Sequence, residues 1–427
     1  MKKEVVGGLL ILMIGTVSFF SCNRKAHNSL QTSTIVNSKA SQKKPYLLLI
    51  SLDGFRWDYL EKYQPPNLSH FVKEGVRSEA LIPAYPTKTF PNHYSIVTGM
   101  YPDKHGILAN SFYSHEQEKL YDYKNINTAT DGKFYKGSPI WLEANKANMV
   151  TASYFFVGSE ADIQGMHPTY YHTYDSKINK EVRVTQVINW LKMPENERPH
   201  LITMYFADMD KAGHDYGPGN EQKIKEALFE LDRHLGQLFK GVADTGLPVN
   251  IVIVSDHGMV DLPASNIIPI ESILNDSLYH TVNNGAIVNI YPHQGVNTEA
   301  LVLSLKQKRD HFEVHTIEDI PGFVNRPKSI DWGAIQLIPD YTYYFLQGKK
   351  KELLVKNNIK AIGVHGFDPK HKEMHGIFYA KGPAFKTAFT LPPMGIVHVF
   401  PLMCEVLGLP IPQNIDGDLE VVISVLK

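Results

Sequence analysis

Three runs of the chain, Tyr46–Leu52, Leu201–Phe206 and Val249–Ser255, are dominated by apolar residues without regular polar alternation. Runs this short and this continuous read as strands buried on both faces, as in the parallel sheet of an α/β protein. Val150–Phe156 and Gly376–Ala380 read as further strands. Between Glu221 and Ala243 the period becomes helical, with Ile224, Leu228, Leu231, Leu235 and Leu238 on one face. A shorter helix is expected over Asn92–Gly99, with Pro91 near its start. The alternation of strand and helix from Tyr46 to His257 predicts an α/β sandwich. From Leu262 to about Val364 the pattern breaks up, and Gly285–Tyr291 and Tyr341–Leu346 look like strands among frequent Pro and Asn. Residues 262–364 are therefore expected to form an inserted cap region within one catalytic domain spanning 45–427.

Each long run is followed at once by carboxylate or imidazole side chains. Asp53-Gly54 follows the first, Asp210 to His214 the second, and Asp256-His257-Gly258 the third; His365-Gly366 stands where the core pattern resumes. Ligands of open α/β sheets bind beyond the carboxyl ends of the strands, so these clusters are expected on one rim. Asp53-Gly54 taken singly is a weak signal, because Asp-Gly is also an ordinary turn; Asp256-His257-Gly258 is a stronger one, with two different ligand types side by side at a strand end. Together, Asp53, Asp210, His214, Asp256, His257 and His365 offer mixed carboxylate and imidazole ligation without thiolates, which suits zinc. This set is large enough for two Zn2+ ions, and paired metals stabilise both the attacking and the leaving oxygen of a phosphoryl displacement. Other groups of similar chemistry are set aside. His375 leads into a strand, Asp208 is worse spaced to His214 than Asp210, and His93 and His105 are expected to support the neighbouring loop.

A metal-activated nucleophile is an oxygen that can lose its proton. The stretch Ala84 to Tyr94 supplies Thr87 and Thr89 just ahead of the short helix. Thr89 would lie at the helix amino terminus, where exposed N–H groups favour an anion. Helix capping is the ordinary alternative for such a threonine.

The amino terminus follows another logic. Lys2 and Lys3 precede an apolar stretch, Val5 to Phe20, that ends in Ser21-Cys22. Residues 1–22 thus have the layout of a secretory signal, and Cys22 resembles a lipoprotein cleavage site that would carry a membrane lipid; an uncleaved anchor is the other reading. Asn23 in place of aspartate points to the outer membrane, facing the periplasm or cell surface. Residues 23–44, rich in Ser, Asn, Thr and Lys, read as a flexible tether. Cys404 is the other cysteine, so lipid on Cys22 leaves no internal disulfide. A formal net charge of -1 supplies no global field to hold nucleic acid as a stable partner.

The run Thr87-Lys88-Thr89-Phe90-Pro91-Asn92-His93, followed by Thr98-Gly99, Tyr101-Pro102 and His105-Gly106, resembles the nucleophile region of the nucleotide pyrophosphatase/phosphodiesterase family of the alkaline phosphatase superfamily. The other clusters fall in that family's order, so the resemblance spans roughly Pro45 to Phe385. It implies an α/β/α sandwich of alkaline-phosphatase-like type with two zinc ions, one held by Asp210, His214 and His365 and the other by Asp53, Asp256 and His257, with Thr89 as nucleophile on the latter. It further implies that Asn110 donates to a phosphate oxygen and that Phe90 and Tyr171 sandwich a nucleobase. Trp141 and Tyr205 would line the same pocket. The implied reaction releases nucleoside 5'-monophosphates from phosphodiester and pyrophosphate bonds of extracellular nucleotides through a phosphothreonine. A phosphomonoesterase or a lipid- or choline-type phosphodiesterase would use the same machinery, whereas a lipoprotein that captures nucleotides without turnover would not need it. One departure bears on loop shape and substrate range. Tyr205-Phe206-Ala207-Asp208-Met209-Asp210 stands where the family often has Tyr-x-Glu-Glu-Pro-Asp.

Overall fold

The computed structural model describes residues 30–32 and 35–427; the signal-like segment, Cys22 included, lies outside them. Its centre is a nine-stranded sheet. In chain order the strands are β1 (Leu30–Thr32), β2 (Tyr46–Leu52), β3 (Val76–Ser78), β4 (Thr151–Tyr154) and β5 (Tyr170–His172). Next come β6 (Leu201–Phe206), β7 (Val249–Val254), β8 (Phe378–Lys381) and β9 (Phe389–Leu391). In space the order is β1-β5-β4-β6-β2-β7-β8-β3-β9. The central run β5-β4-β6-β2-β7 is parallel throughout, while β8 and the edge strand β1 join antiparallel.

Alternate residues of β2 show why its sequence is apolar without a break. Leu47 and Leu49 enter one core, and Leu48, Ile50 and Leu52 enter the other. Fully burying each such side chain contributes roughly 1.5–3 kcal/mol. One face carries α1 (Thr89–Thr98) with the helices Ile140–Lys146 and Val399–Leu407. The other carries α2 (Lys180–Leu191), α3 (Asp208–Tyr216) and α4 (Glu221–Ala243). The fold is thus an α/β/α sandwich. On α4 the five apolar residues of the expected stripe are fully buried, and the Asn220 side chain caps the helix by accepting from the Lys223 N–H. Helix α1 starts earlier than Pro91 suggested. Pro91 is its third residue, where a missing N–H costs no helical bond.

The strands Val260–Pro263 and Ala361–Val364 pair antiparallel as a stem. Between them, four antiparallel strands (Tyr279–Asn283, Val288–Pro292, Ile335–Pro339 and Phe312–Thr316) and the helix Thr298–Gln307 enclose a core of their own. The stem returns the chain to the sheet rim at His365. A further helix, α5 (Gly348–Lys356), lies just before the returning strand.

The polar stretch before Pro45 is not a free tether over its whole length. Residues Leu30–Thr32 pair with Tyr170–His172. Asn37 is buried, its Nδ2 donating to the Glu195 and Arg198 carbonyls at 2.9 and 2.7 Å while its Oδ1 accepts from the Val150 N–H at 2.7 Å. A polar residue is ordered here because it satisfies backbone groups that would otherwise be orphaned.

Candidate metal centre and active site

Strands β6, β2 and β7 are neighbours and parallel, so the residues beyond their carboxyl ends meet on one rim. Asp53 follows β2, Asp256 and His257 follow β7, and α3 begins two residues after β6. Contact between the first two loops is tight. The Asp210 N–H donates to the Asp53 carbonyl at 2.9 Å. A Cβ at Gly54, whose φ is +66°, would lie 2.7 Å from the Asp210 Cα, so only glycine fits. Asp210 and His214 are four residues apart on α3 and therefore share a face, with His214 Nε2 3.3 Å from Asp210 Oδ1.

Three imidazoles are oriented alike. The Nδ1 atoms of His214, His257 and His365 lie 2.8, 2.9 and 2.8 Å from the carbonyls of Gly363, Gly258 and Thr87. A carbonyl only accepts, so each Nδ1 carries the proton and each Nε2 presents a lone pair. His257 Nε2 lies 3.0 Å from Asp256 Oδ2 and 3.5 Å from Asp53 Oδ1; His365 Nε2 lies 3.7 Å from Asp210 Oδ1. Those three carboxylate oxygens, Asp53 Oδ1, Asp210 Oδ1 and Asp256 Oδ2, are buried without a hydrogen-bond donor. Lone pairs facing orphaned carboxylate oxygens repel unless positive charge lies between them. The donor set therefore fits divalent cations, and backbone carbonyls that fix the distal imidazole nitrogen are the usual support of metal-bound histidine.

The electrostatics agree with this fit. Burial, together with the neighbouring carboxylates Asp256 and Asp210, holds the Asp53 carboxyl well above its ordinary value. Burial and Asp210 do the same to Asp256. Burial pushes the His257 imidazole down to about 3 and His365 well below its ordinary value. Without cations, the inner part of the cluster thus holds two carboxyls, Asp53 and Asp256, that resist ionisation beside imidazoles, His257 and His365, that resist protonation, whereas His214 outweighs burial and holds Asp210 below its ordinary value. At its outer end, Asp210 outweighs burial and raises His214, whose side chain is 42% exposed.

Asp53, His93 and Asp256 also lie close enough to share an ion, as do Asp210, His257 and His365. His93, however, has both nitrogens committed, Nδ1 to the Thr89 carbonyl at 2.9 Å and Nε2 to Ser51 Oγ at 2.7 Å. The two halves of the cluster thus meet at His257, whose ring stacks on His365 with centroids 3.6 Å apart.

Of the two threonines, only Thr89 keeps its hydroxyl clear of backbone groups, where it faces the His257 imidazole. The buried Thr87 Oγ1 accepts from the Gly366 N–H at 2.9 Å and donates to the Phe367 carbonyl at 3.0 Å. Thr89 is the first residue of α1, and its Oγ1 lies 3.3 Å from His257 Nε2. Asn110 Oδ1 accepts from the Phe90 N–H at 3.0 Å, which fixes the amide orientation. Among the described residues its Nδ2 has no partner, so a donor remains beside Thr89.

A family model described as type I phosphodiesterase / nucleotide pyrophosphatase matches residues 47–368. The chain belongs to this family. It is 34% identical over 390 residues to ectonucleotide pyrophosphatase/phosphodiesterase family member 1 of Mus musculus, covering 88% of this chain and 42% of that protein. Against bis(5'-adenosyl)-triphosphatase ENPP4 of Bos taurus it is 33% identical, covering 91% of this chain and 83% of that one. The chain thus spans about two fifths of the mouse relative and most of the bovine one. Murine ectonucleotide pyrophosphatase/phosphodiesterase 5 superposes with a TM-score of 0.82 at 30% identity, covering 90% of this chain and 100% of that one. An inactive threonine-to-alanine form of the murine protein in complex with AMP gives the same TM-score at 29% identity.

In this phosphodiesterase-family chain the expected pocket aromatics divide. Phe90 is half-buried, with its ring 5.3 Å from Tyr123. Trp141 is 1% exposed and packs on Phe156 in the core, so it lines no pocket. Tyr205 is buried and its hydroxyl donates to Asp53 Oδ2 at 2.5 Å, so it orients a ligand rather than facing substrate. Tyr171 stacks on His167 and feels Glu160 and Asp162, not the metal cluster. Tyr174 instead lies 6.3 Å from Tyr205, is 47% exposed and feels Asp53, Asp208 and Asp210. Tyr174 and Tyr123, which feels Asp210, are the site aromatics that sequence reasoning missed. The strand alternation that separates Tyr171 from Tyr170 gave no hint of the loop that follows.

The remaining residues hold the frame. His105 accepts from the Ile107 N–H at 3.2 Å and reaches the Pro91 carbonyl at 3.1 Å. His375 Nε2 bonds the Pro369 carbonyl at 2.7 Å, and Asp208 pairs with Lys180 at 2.6 Å. Lys88 was not singled out either. Its buried Nζ donates to the His365 carbonyl at 2.9 Å and to Tyr344 at 2.5 Å, and burial brings it down to about 7.

Proposed function

We propose that the chain is a zinc-dependent nucleotide pyrophosphatase/phosphodiesterase that cleaves nucleotides to nucleoside 5'-monophosphates through a covalent phosphothreonine on Thr89. One observation carries the reading: three orphaned carboxylate oxygens face three imidazole lone pairs beside a threonine hydroxyl that reaches one of those imidazoles, His257. Asp53, Asp256 and His257 would hold one Zn2+, and Asp210, His214 and His365 the other. Bound there, the cations supply positive charge that lowers the pKa of a hydroxyl and neutralises phosphate oxygens.

The chain's own groups do the rest. Thr89 Oγ1, its proton released to solvent, attacks phosphorus as the bond to the leaving oxygen breaks, and that oxygen departs on the open Asp210–His214 side, where water supplies its proton. Asn110 Nδ2 donates to a non-bridging oxygen as charge builds on it, and the amino terminus of α1 favours the same anion. Water entering from the open side then cleaves the phosphothreonine. Phe90 with Tyr174 or Tyr123 offers faces for a nucleobase. The AMP complex of the related murine protein, in an inactive form lacking a threonine, supports both the ligand class and the nucleophile type. Among the described residues no helix is long and apolar enough to cross a membrane. Export and a lipid on Cys22 belong to the same proposal, in keeping with relatives named as ectonucleotidases.

A chelated sample should lose turnover of a nitrophenyl nucleotide diester, regain it with zinc, and show a lower melting temperature while chelated. Cleavage of nitrophenyl phosphate faster than of the diester would assign the site to a monoesterase. Tight nucleotide binding by zinc-loaded protein with no product would assign it to capture alone.

A further inference from the structure

The cap touches the loop of Asn110 through one buried amide. Asn284 lies in the turn between the strands Tyr279–Asn283 and Val288–Pro292 and is 8% exposed. Its Oδ1 accepts from the Ser111 N–H at 3.1 Å, and its Nδ2 donates to the Ser111 carbonyl at 2.8 Å. Ser111 directly follows Asn110. The peptide group that joins them is held at both ends, because the Asn110 carbonyl accepts from the Tyr123 N–H at 3.0 Å. With the Phe90 N–H on its side-chain oxygen, Asn110 is fixed at three points.

The turn that carries Asn284 is itself registered against the metal centre. Its Asn284 carbonyl and that of His365 lie 3.2 and 3.3 Å from the Tyr344 hydroxyl, which shares its proton between them and accepts from Lys88 Nζ at 2.5 Å. Lys88 directly precedes Thr89. A Cβ at Gly285, whose φ is +80°, would fall 1.8 Å from a carbon of the Tyr344 ring, so the turn admits only glycine there.

We infer that Asn284 is a positioning residue, a cap side chain that keeps the Asn110 amide in register with Thr89 and with the phosphate oxygen on which charge develops. An amide offers a donor and an acceptor side by side, which is what pairing with both groups of one backbone residue requires. The cap has a hydrophobic core of its own, so the pairing fixes the loop after Asn110 more than it fixes the cap. Placement matters at this point, since shifting a catalytic group by about 1 Å costs roughly 100-fold. The inference rests on the proposed role of Asn110 as a donor to phosphate.

The test compares the zinc-loaded full chain with Asn284→Ala, Asn110→Ala and the double variant on a nitrophenyl nucleotide diester. Asn110→Ala should lose about 100–1,000-fold in kcat, as for a deleted oxyanion donor. Asn284→Ala should lose about 10–100-fold in kcat with KM little changed, and should add nothing to the loss when Asn110 is already alanine. Asn284→Asp keeps the size but sets an oxygen against the Ser111 carbonyl, and it should behave as Asn284→Ala does. Losses that multiply in the double variant overturn the inference, because Asn284 then acts apart from Asn110. An unchanged kcat in both Asn284 variants overturns it too. Full turnover by Asn110→Ala would instead overturn the donor role of Asn110, and the inference with it. Amide hydrogen exchange gives a readout that needs no turnover: the Ser111 and Phe90 amides should be protected in the unaltered protein and exchange faster in Asn284→Ala. Free exchange at Ser111 in the unaltered protein overturns the inference even if neither Asn284 variant folds.

Discussion

His365 donates its Nδ1 proton to the carbonyl of Thr87, 2.8 Å away and 278 residues earlier in the chain. The same threonine binds Gly366 and Phe367 through its hydroxyl. Thr87 therefore fastens the loop before the nucleophile to the chain returning from the cap. Thr89, two residues on, is placed by that fastening with its own hydroxyl turned to His257.

The two threonines should separate cleanly on substitution. Thr89→Ala should fold with an unchanged melting temperature and lose at least about a thousandfold in kcat, as for other nucleophile deletions. Thr87→Val should instead destabilise by about 1–3 kcal/mol, because it leaves the Gly366 N–H without its acceptor, while retaining measurable turnover. Thermal melts and steady-state kinetics on both variants check this. Equal losses of activity with stable folds would argue against the division of roles.

Asp256→Asn should stabilise the cation-free protein at alkaline pH. The buried carboxyl sits well above its ordinary 3.8. As pH rises past that value the unfolded chain releases a proton that the folded chain still holds, so stability falls until the folded group ionises. Asparagine removes that cost, keeps an acceptor for the Gly54 N–H and offers an N–H to His257 Nε2, 3.0 Å from the present Oδ2. In chelator, the expected gain is about 1–3 kcal/mol near pH 8 and close to none near pH 4, read by denaturant melts. Zinc uptake by the variant should fall.

Much of this site was legible because strand ends leave little freedom. An unbroken apolar run such as Tyr46–Leu52 requires burial on both faces, and the polar residue that follows must stand on the rim, so Asp53, Asp256 and His257 declared their place. Asp210 and His214 were legible as a pair, but the Gly-rich stretch around them reads as a loop and hid the helix α3 that sets both on one face. Aromatic residues carry no such constraint. Trp141 and Tyr205 are apolar enough for either core or pocket, and only packing decides that one fills the core and the other holds Asp53. Tyr174 lies on a loop, where period gives no face. Residues 35–44 misled for the opposite reason, since their polarity serves buried backbone groups through Asn37 instead of solvent.

Tyr205→Phe should weaken zinc binding without touching substrate contacts. It removes the donor at 2.5 Å from Asp53 Oδ2, and loss of a partner that orients a ligand costs about 10–100-fold in metal affinity or activity. Titration against a competing chelator reads the effect. Excess zinc should restore most of kcat, which a residue in contact with substrate would not allow.

Tyr174→Ala should raise KM for nucleotide diesters by roughly 5–150-fold, equivalent to about 1–3 kcal/mol of base stacking. Tyr171→Ala should leave KM nearly unchanged, since that ring stacks on His167. The reverse pattern would return the nucleobase to Tyr171.

The stereochemical course at phosphorus tests the central claim most directly. Attack by Thr89 followed by attack of water inverts the phosphorus twice, so a chiral phosphorothioate diester of a nucleoside, hydrolysed in water carrying a heavy oxygen isotope so that the product phosphorus is chiral, should yield product with retained configuration. Inverted configuration would mean that water attacks the substrate in a single step, and the Thr89 hydroxyl would then have no covalent role.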